Sequence, residues 1–161
     1  MCGRAVHGGF VFSGRRRHTR SCLVSWARRC VKDTGGKLMI CGNGGSAADA
    51  QHLVAEFLIR LTSDVDRQGI PAISLVQDSS TLTACINDYG PDDIFKRVLL
   101  TLGQEGDVLL AITTSGNSVN IIETLKSARE KNIYCLGFLG NDGGDALELC
   151  DSAFVVPSSV T

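Results

Sequence analysis

No stretch of the sequence approaches the roughly 20 consecutive apolar residues that a membrane-spanning helix needs, so no membrane association is expected. Neither a GxGxxG dinucleotide fingerprint nor a P-loop GK[ST] is present, and nucleotide cofactors are therefore not indicated. Paired cysteines are missing too. The seven cysteines, at 2, 22, 30, 41, 85, 135 and 150, are odd in number and form no CxxC, and Cys41 and Cys135 fall inside apolar strand-like runs. That argues against a disulfide framework or a zinc knuckle and reads as reduced, mostly buried thiols of a cytoplasmic protein. Acidic residues are absent from positions 1–30, which hold seven of the 16 basic ones; the remainder has nine basic residues against 17 acidic, a balance of −8. A body of that sign is wrong for neutralising nucleic-acid phosphates, and the basic segment shows no aromatic interleaving for base stacking. No nucleic-acid partner is expected.

What is present suffices for one core. A chain of 161 residues with 43% apolar content is too short for two ordinary domains. Residues 1–30 are rich in Gly, Arg, Cys and Ser, include Arg15-Arg16-Arg17-His18-Thr19-Arg20, and show neither helical nor strand periodicity. An organelle-targeting peptide has this composition, and so has a disordered tail. We favour a third reading, that SGRRRHTRSCLVSWARRC is translated foreign sequence joined to a gene fragment. An intact reading frame for these residues in the source genome would rule it out.

From Val31 onward, short β-rich runs alternate with segments long enough for crossover helices. The runs are Lys37–Cys41, Ala72–Val76, Asp107–Ile112, Ile133–Phe138 and Ser152–Val156. Such alternation makes a parallel sheet covered on both faces, so residues 31–161 are predicted to form a doubly wound, five-stranded α/β sheet of flavodoxin-like type. Ligands of these sheets sit outside the carboxyl ends of the strands. The loops there, 42–46, 77–81, 113–118 and 140–144, are small, polar and rich in glycine or hydroxyls.

Thr113–Ser118 passes from a strand into a helix with Ile121, Ile122, Leu125 and Ala128 at helical spacing. A helix start offers unpaired N–H groups and partial positive charge, which suit a phosphate. The hydroxyls of Thr113, Ser115 and Ser118 can donate to it, and Gly116 lets backbone come close. Ser and Asn that merely cap the helix fit the same residues. In Asn43-Gly44-Gly45-Ser46 the glycines point to backbone pressed against a ligand, or simply to a tight strand-to-helix turn. The next helix has an apolar arc of Ala50, Leu53, Val54, Phe57 and Leu61 beside a polar one of Asp49, His52, Glu56 and Arg60. His52 and Glu56, one turn apart, can share a metal ion or set a carboxylate base beside a donor. A solvated face with a helix ion pair is the plain alternative.

Four blocks, KLMICGNGGSAADAQHLVAEFLIR, SLVQDSSTLTACINDYGPDDIF, GDVLLAITTSGNSVNIIETLKSAREKNI and GNDGGDALELCD, are similar, in order, to blocks of the bacterial phosphoheptose isomerases, a family built on the sugar isomerase (SIS) domain. Together they span most of residues 36–157. The resemblance implies a homotetrameric cytoplasmic enzyme, often with zinc, interconverting sedoheptulose 7-phosphate and D-glycero-D-manno-heptose 7-phosphate on the route to ADP- or GDP-heptose for lipopolysaccharide. It places substrate contacts at Asn43, Gly44, Gly45, Asn87 and Asp88, and a phosphate-binding hydroxyl loop at Thr113, Thr114, Ser115 and Ser118, where Thr113 replaces an expected Ser. Ser46 and Arg60 join these as substrate-contact candidates. The family's metal-binding His falls on His52, and its Glu, metal ligand and general base, on Glu56. Ketose–aldose isomerisation takes a proton from the carbon beside the carbonyl and returns it to the neighbouring carbon, which suits a carboxylate, with a metal or donor stabilising the enediolate oxygen.

The family's C-terminal helix, whose Gln and His complete the metal site, has no counterpart before Thr161, and its N-terminal helices have none in residues 1–30. The chain therefore reads as a fragment with an incomplete zinc ligand set and weak metal affinity, open to being inactive. The other functions weighed are a non-catalytic SIS regulator that binds sugar phosphate, an adaptor resembling the replication-initiator-associated members, and an isomerase of arabinose or hexulose phosphate. A pure binder has no chemical need for the His52/Glu56 pair, which favours an enzyme. By resemblance, Asn87-Asp88 favours the heptose type.

Overall fold

The computed structural model describes residues 31, 35–60, 62–64, 66–76 and 78–158; the basic segment 1–30, Leu61 and Gln77 are among those outside it. Strands β1 (Leu38–Gly42), β2 (Ala72–Ser74), β3 (Val108–Thr113), β4 (Tyr134–Gly140) and β5 (Ser152–Val156) pair in parallel in the order β2-β1-β3-β4-β5. Between them run helices α1 (Gly45–Leu58), α2 (Ser79–Asp88), α3 (Ile94–Leu102), α4 (Val119–Glu130) and the short α5 (Ala146–Leu149), with a 3₁₀ turn at Pro91–Asp93 leading into α3. This is the doubly wound, five-stranded α/β sheet expected from the alternation.

Strand β1 is buried along its whole length, as a near-continuous apolar run in a two-sided parallel sheet must be. Alternate residues serve opposite faces. Met39, Cys41, Leu109, Ala111, Cys135 and Leu139 meet Cys85, Phe95, Leu99, Ile121, Leu125 and Ala128 of the helices on one side. On the other, Leu38, Ile40, Val108, Leu110 and Leu136 meet Val31, Ala50, Phe57 and Ile70. In α4 the periodic residues Ile121, Leu125 and Ala128 are buried, and so is Thr124, whose hydroxyl is satisfied within the helix by donating to the carbonyl of Asn120 at 2.6 Å.

Carboxylates lock the strand starts. Asp107, one residue before β3, is fully buried; it accepts from the backbone N–H of Lys37 at 2.8 Å and of Gln104 at 2.9 Å, and pairs with Lys37 Nζ at 2.7 Å. Asp151, one residue before β5, accepts from the N–H of Cys135 at 2.8 Å. Each fastens the strand next door, so the register is set at the amino edge and the opposite edge is left to the loops.

Cys41, Cys85 and Cys135 are buried and free, and Cys150 is half-buried and free. Burial pushes the thiols of Cys135 and Cys150 up to about 12 and that of Cys41 higher still, so they stay protonated and pack as small apolar groups. Among the described residues no helix is long and apolar enough to cross a membrane.

Candidate active site

The chain leaves β1 for one side of the sheet and β3 for the other, so the loops β1–α1 and β3–α4 diverge from adjacent strands at a topological switch point, the usual ligand crevice of such sheets. A pair of hydrogen bonds links them: the side-chain amides of Asn43 and Asn120 each donate to the other at 2.9 Å.

Among the described residues no side chain caps either helix that starts here. Gly44 is the N-cap of α1, with φ +55°, and Ser118, the N-cap of α4, makes no capping bond with its hydroxyl. By contrast α2 is capped, Asp78 accepting from the N–H of Thr81 at 2.6 Å; this bond holds the Asp78 carboxyl below its ordinary value. Two helix starts at one crevice thus keep first-turn N–H groups that no side chain occupies, a ready anion site. The capping alternative raised for Ser118 does not hold.

Within 113–118, the N–H of Gly116 donates to Thr113 Oγ1 at 3.2 Å and that of Asn117 to Ser115 Oγ at 3.1 Å. These hydroxyls act as acceptors in the loop, which leaves each its own proton to donate outward. Thr113 is buried, Thr114 and Ser115 are exposed and Ser118 is half-buried. Gly116 also has a role within the fold. Its φ is +70°, and a Cβ there would collide with the carbonyl of Gly143, while its own carbonyl accepts from the N–H of Ala146 at 2.9 Å. The neighbouring loop therefore requires glycine at 116. Asn117 joins the same two loops, its Oδ1 accepting from the N–H of Asp145 at 3.0 Å. No local sequence signal marks that bond, because its partner lies on another loop.

On α1, His52 Nε2 stands 3.4 Å from Glu56 Oε1; the imidazole is 76% exposed and the carboxylate 24%. Glu56 Oε2 is buried and, among the described residues, has no hydrogen-bond partner. Buried carboxylate oxygens are nearly always bonded, so an orphan beside an accessible imidazole fits a ligand or metal ion. Imidazole nitrogen with carboxylate oxygen is a donor set that zinc accepts. Among the described residues no third His, Cys, Asp or Glu gathers with them, so these two alone would supply only part of a zinc ligand set.

The polar face of α1 ends sooner than its periodicity suggested. The helix stops at Leu58, because the carbonyl of Phe57, which a further turn would have used, accepts instead from Ile70 N–H at 2.9 Å and Arg67 Nη1 at 3.0 Å. Arg60 is exposed beyond the helix end and is not carried by it onto the His52/Glu56 face; Leu61 lies outside the described residues. Gln51 Nε2 donates to the carbonyl of Val76 at 2.7 Å, tying α1 to the loop after β2, a link the sequence reading missed. Asn87 and Asp88 stand at the last turn of α2, joined by a 2.8 Å bond from Asn87 Nδ2 to Asp88 Oδ1. Asp88 lines a cavity of about 470 Å³ together with Val76, Asp78 and Thr81 at the carboxyl end of β2 and with Tyr89 and Arg97. The structure therefore brings Asn43–Ser46 and Thr113–Ser118 to one switch point and sets His52 and Glu56 on the helix leaving it. It does not bring Arg60, Asn87 or Asp88 there by any contact it shows.

A parallel sheet of this order, with uncapped helix starts and a hydroxyl loop lacking lysine, defines an α/β domain that binds a phosphorylated ligand, and the SIS domain family model matches residues 26–140. The chain is 53% identical over 159 residues to the phosphoheptose isomerase of Chlorobium phaeobacteroides, covering 94% of this chain and 70% of that relative. Solved structures of phosphoheptose isomerases from Neisseria gonorrhoeae (TM-score 0.77, 39% identity, 86% of this chain and 72% of that one) and Francisella tularensis (TM-score 0.79, 34% identity, 88% and 75%) share its fold. The chain belongs to the phosphoheptose isomerase family.

Proposed function

We propose that the chain is an aldose–ketose isomerase that interconverts sedoheptulose 7-phosphate and D-glycero-D-manno-heptose 7-phosphate through an enediolate. The observation that carries this is the buried, unpartnered Oε2 of Glu56, a carboxylate oxygen available as a base on the helix that opens from the switch-point loop. The phosphate is held by the hydroxyls of Thr113, Thr114, Ser115 and Ser118 and the first N–H groups of α4, with no cation needed in that loop. Asn43, Gly44, Gly45 and Ser46 face the sugar, with Asn87 and Asp88 as further contacts on family resemblance. Glu56 removes the proton from the carbon beside the carbonyl and returns it to the adjacent carbon, and both steps need one carboxylate above the plane of the enediolate.

His52 and Glu56 are the residues that would hold a zinc ion, which supplies Lewis-acid polarisation of the substrate oxygens when bound; two protein ligands make that binding weak. A homotetramer accords with Tyr89 and Leu102, apolar side chains 58% and 44% exposed at the 470 Å³ cavity. A cytoplasmic place in the synthesis of nucleotide-activated heptose for lipopolysaccharide goes with this activity.

The test is NMR of sedoheptulose 7-phosphate with zinc and either the chain or a chimera carrying the C-terminal residues of the Chlorobium relative. Appearance of the aldose, lost on Glu56→Gln, is expected. Tight binding without conversion would assign a regulatory SIS module, and neither binding nor conversion in a folded protein would sink the heptose reading.

A further inference from the structure

We infer that Asn120 is a positioning residue for the sugar-phosphate site, acting on the substrate through Asn43; the inference rests on the reading of Asn43–Ser46 as a sugar-contact loop. Asn120 is the second residue of α4, past the hydroxyl loop, and it exchanges two 2.9 Å hydrogen bonds with an amide 77 residues earlier in the chain. A lone side-chain amide can rotate to swap its oxygen and nitrogen. A reciprocal pair cannot do so in one member alone, so it fixes the two amides relative to each other. Asn43 is exposed whereas Asn120 is half-buried, so the better-anchored residue holds the freer one. Its anchor is α4 itself, whose first turn is braced by the Thr124 hydroxyl on the Asn120 carbonyl at 2.6 Å. Asn43 is then held in one position at the crevice, without the entropy of ordering that side chain on binding.

The pair also sits where it can matter. Gly42 and Ile112 are register partners at the carboxyl ends of β1 and β3, and the segments that follow diverge. Among the described residues no other side-chain hydrogen bond joins the β1–α1 and β3–α4 segments. Asn120 is thus the device that sets the sugar loop against the phosphate loop, although it need not touch phosphate.

Calorimetric titration of the full 161-residue chain separates these roles. Sedoheptulose 7-phosphate and, separately, inorganic phosphate would be titrated into the native chain, Asn43→Ala, Asn120→Ala, the double variant and Asn120→Gln. Asn120→Ala should weaken the sugar phosphate about tenfold, which is about 1.4 kcal/mol, with inorganic phosphate changed by less than about twofold. The double variant should bind within about twofold of Asn43→Ala alone, because the two act as a unit, and Asn120→Gln should recover part of the loss. Additive losses in the double variant, or equal weakening of inorganic phosphate, would overturn the role. Asn43→Ala binding as well as the native chain, or no binding by the native chain, would remove the sugar-loop reading and this role together. A loss at Asn43→Ala with Asn120→Ala unchanged would remove only the role of Asn120. If Asn120→Ala does not fold, Asn120→Leu, which keeps the volume without either bond, decides between the same outcomes.

Discussion

Glu56 is the residue whose surroundings say most. A carboxylate oxygen buried without a partner costs stability, and such costs persist where function needs the group free. Replacing it by Gln keeps the shape and removes the carboxylate that the proposed mechanism uses as base. Glu56→Gln should therefore lower single-turnover isomerisation by about 10²–10⁴-fold without lowering the melting temperature. A residue kept for structure would show the reverse, with loss of stability leading loss of rate; calorimetric melting beside NMR turnover distinguishes them. His52 to Glu56 spacing was legible in the sequence, since four residues make one turn. The unpartnered Oε2 was not, because burial of one oxygen and not the other depends on what packs against the helix.

At the scale of elements, the ends of strands and helices carry the site and the fold's register separately. Gly116 sits where loop meets loop, with φ +70° and the Gly143 carbonyl in the place of any Cβ. Gly116→Ala should cost about 2–4 kcal/mol, from the left-handed backbone and the overlap together, and should weaken inorganic phosphate binding as 113–118 shifts; urea denaturation and phosphate titration of the same variant check both. The amino edge gives the contrasting case. Asp107→Ala would strand the N–H groups of Lys37 and Gln104 and cost about 3 kcal/mol. Phosphate affinity in the fraction still folded should be unchanged, since the carboxyl-edge loops are untouched. A variant that loses phosphate affinity at full stability would contradict this division. Helix α1 shows why element ends were harder to read than elements: its apolar arc continues in sequence to Leu61, yet Arg67 and Ile70 take its last carbonyls and stop it at Leu58.

For the whole molecule, the buried thiols make stability depend on pH in one direction. Cys135 and Cys150 are raised from 9.0 to about 12, chiefly by burial and secondarily by Asp151. Between those values the unfolded chain releases these protons while the folded chain keeps them, so the unfolded state binds fewer protons and stability falls as pH rises. The urea midpoint should be flat from about pH 6 to 8 and decline above about pH 9, with a shallower decline in Cys150→Ala. An alkaline limb unchanged by that substitution would mean other groups carry it.

The sequence by itself determined the five strands, their parallel alternation with helices, and the small polar loops at their carboxyl ends, because apolar periodicity and turn chemistry are local properties of the chain. It also placed Asn43–Ser46, His52, Glu56 and Thr113–Ser118 in the right kinds of element. Tertiary structure alone decided that the first and third loops share a switch point, since strand order is a matter of packing. It likewise decided that Asn43 finds Asn120, that Asn117 and Gly116 serve the loop of Gly143, and that Arg60 leaves the helix. Each of these depends on groups far apart in the chain arriving at one place, and no local pattern encodes that distance.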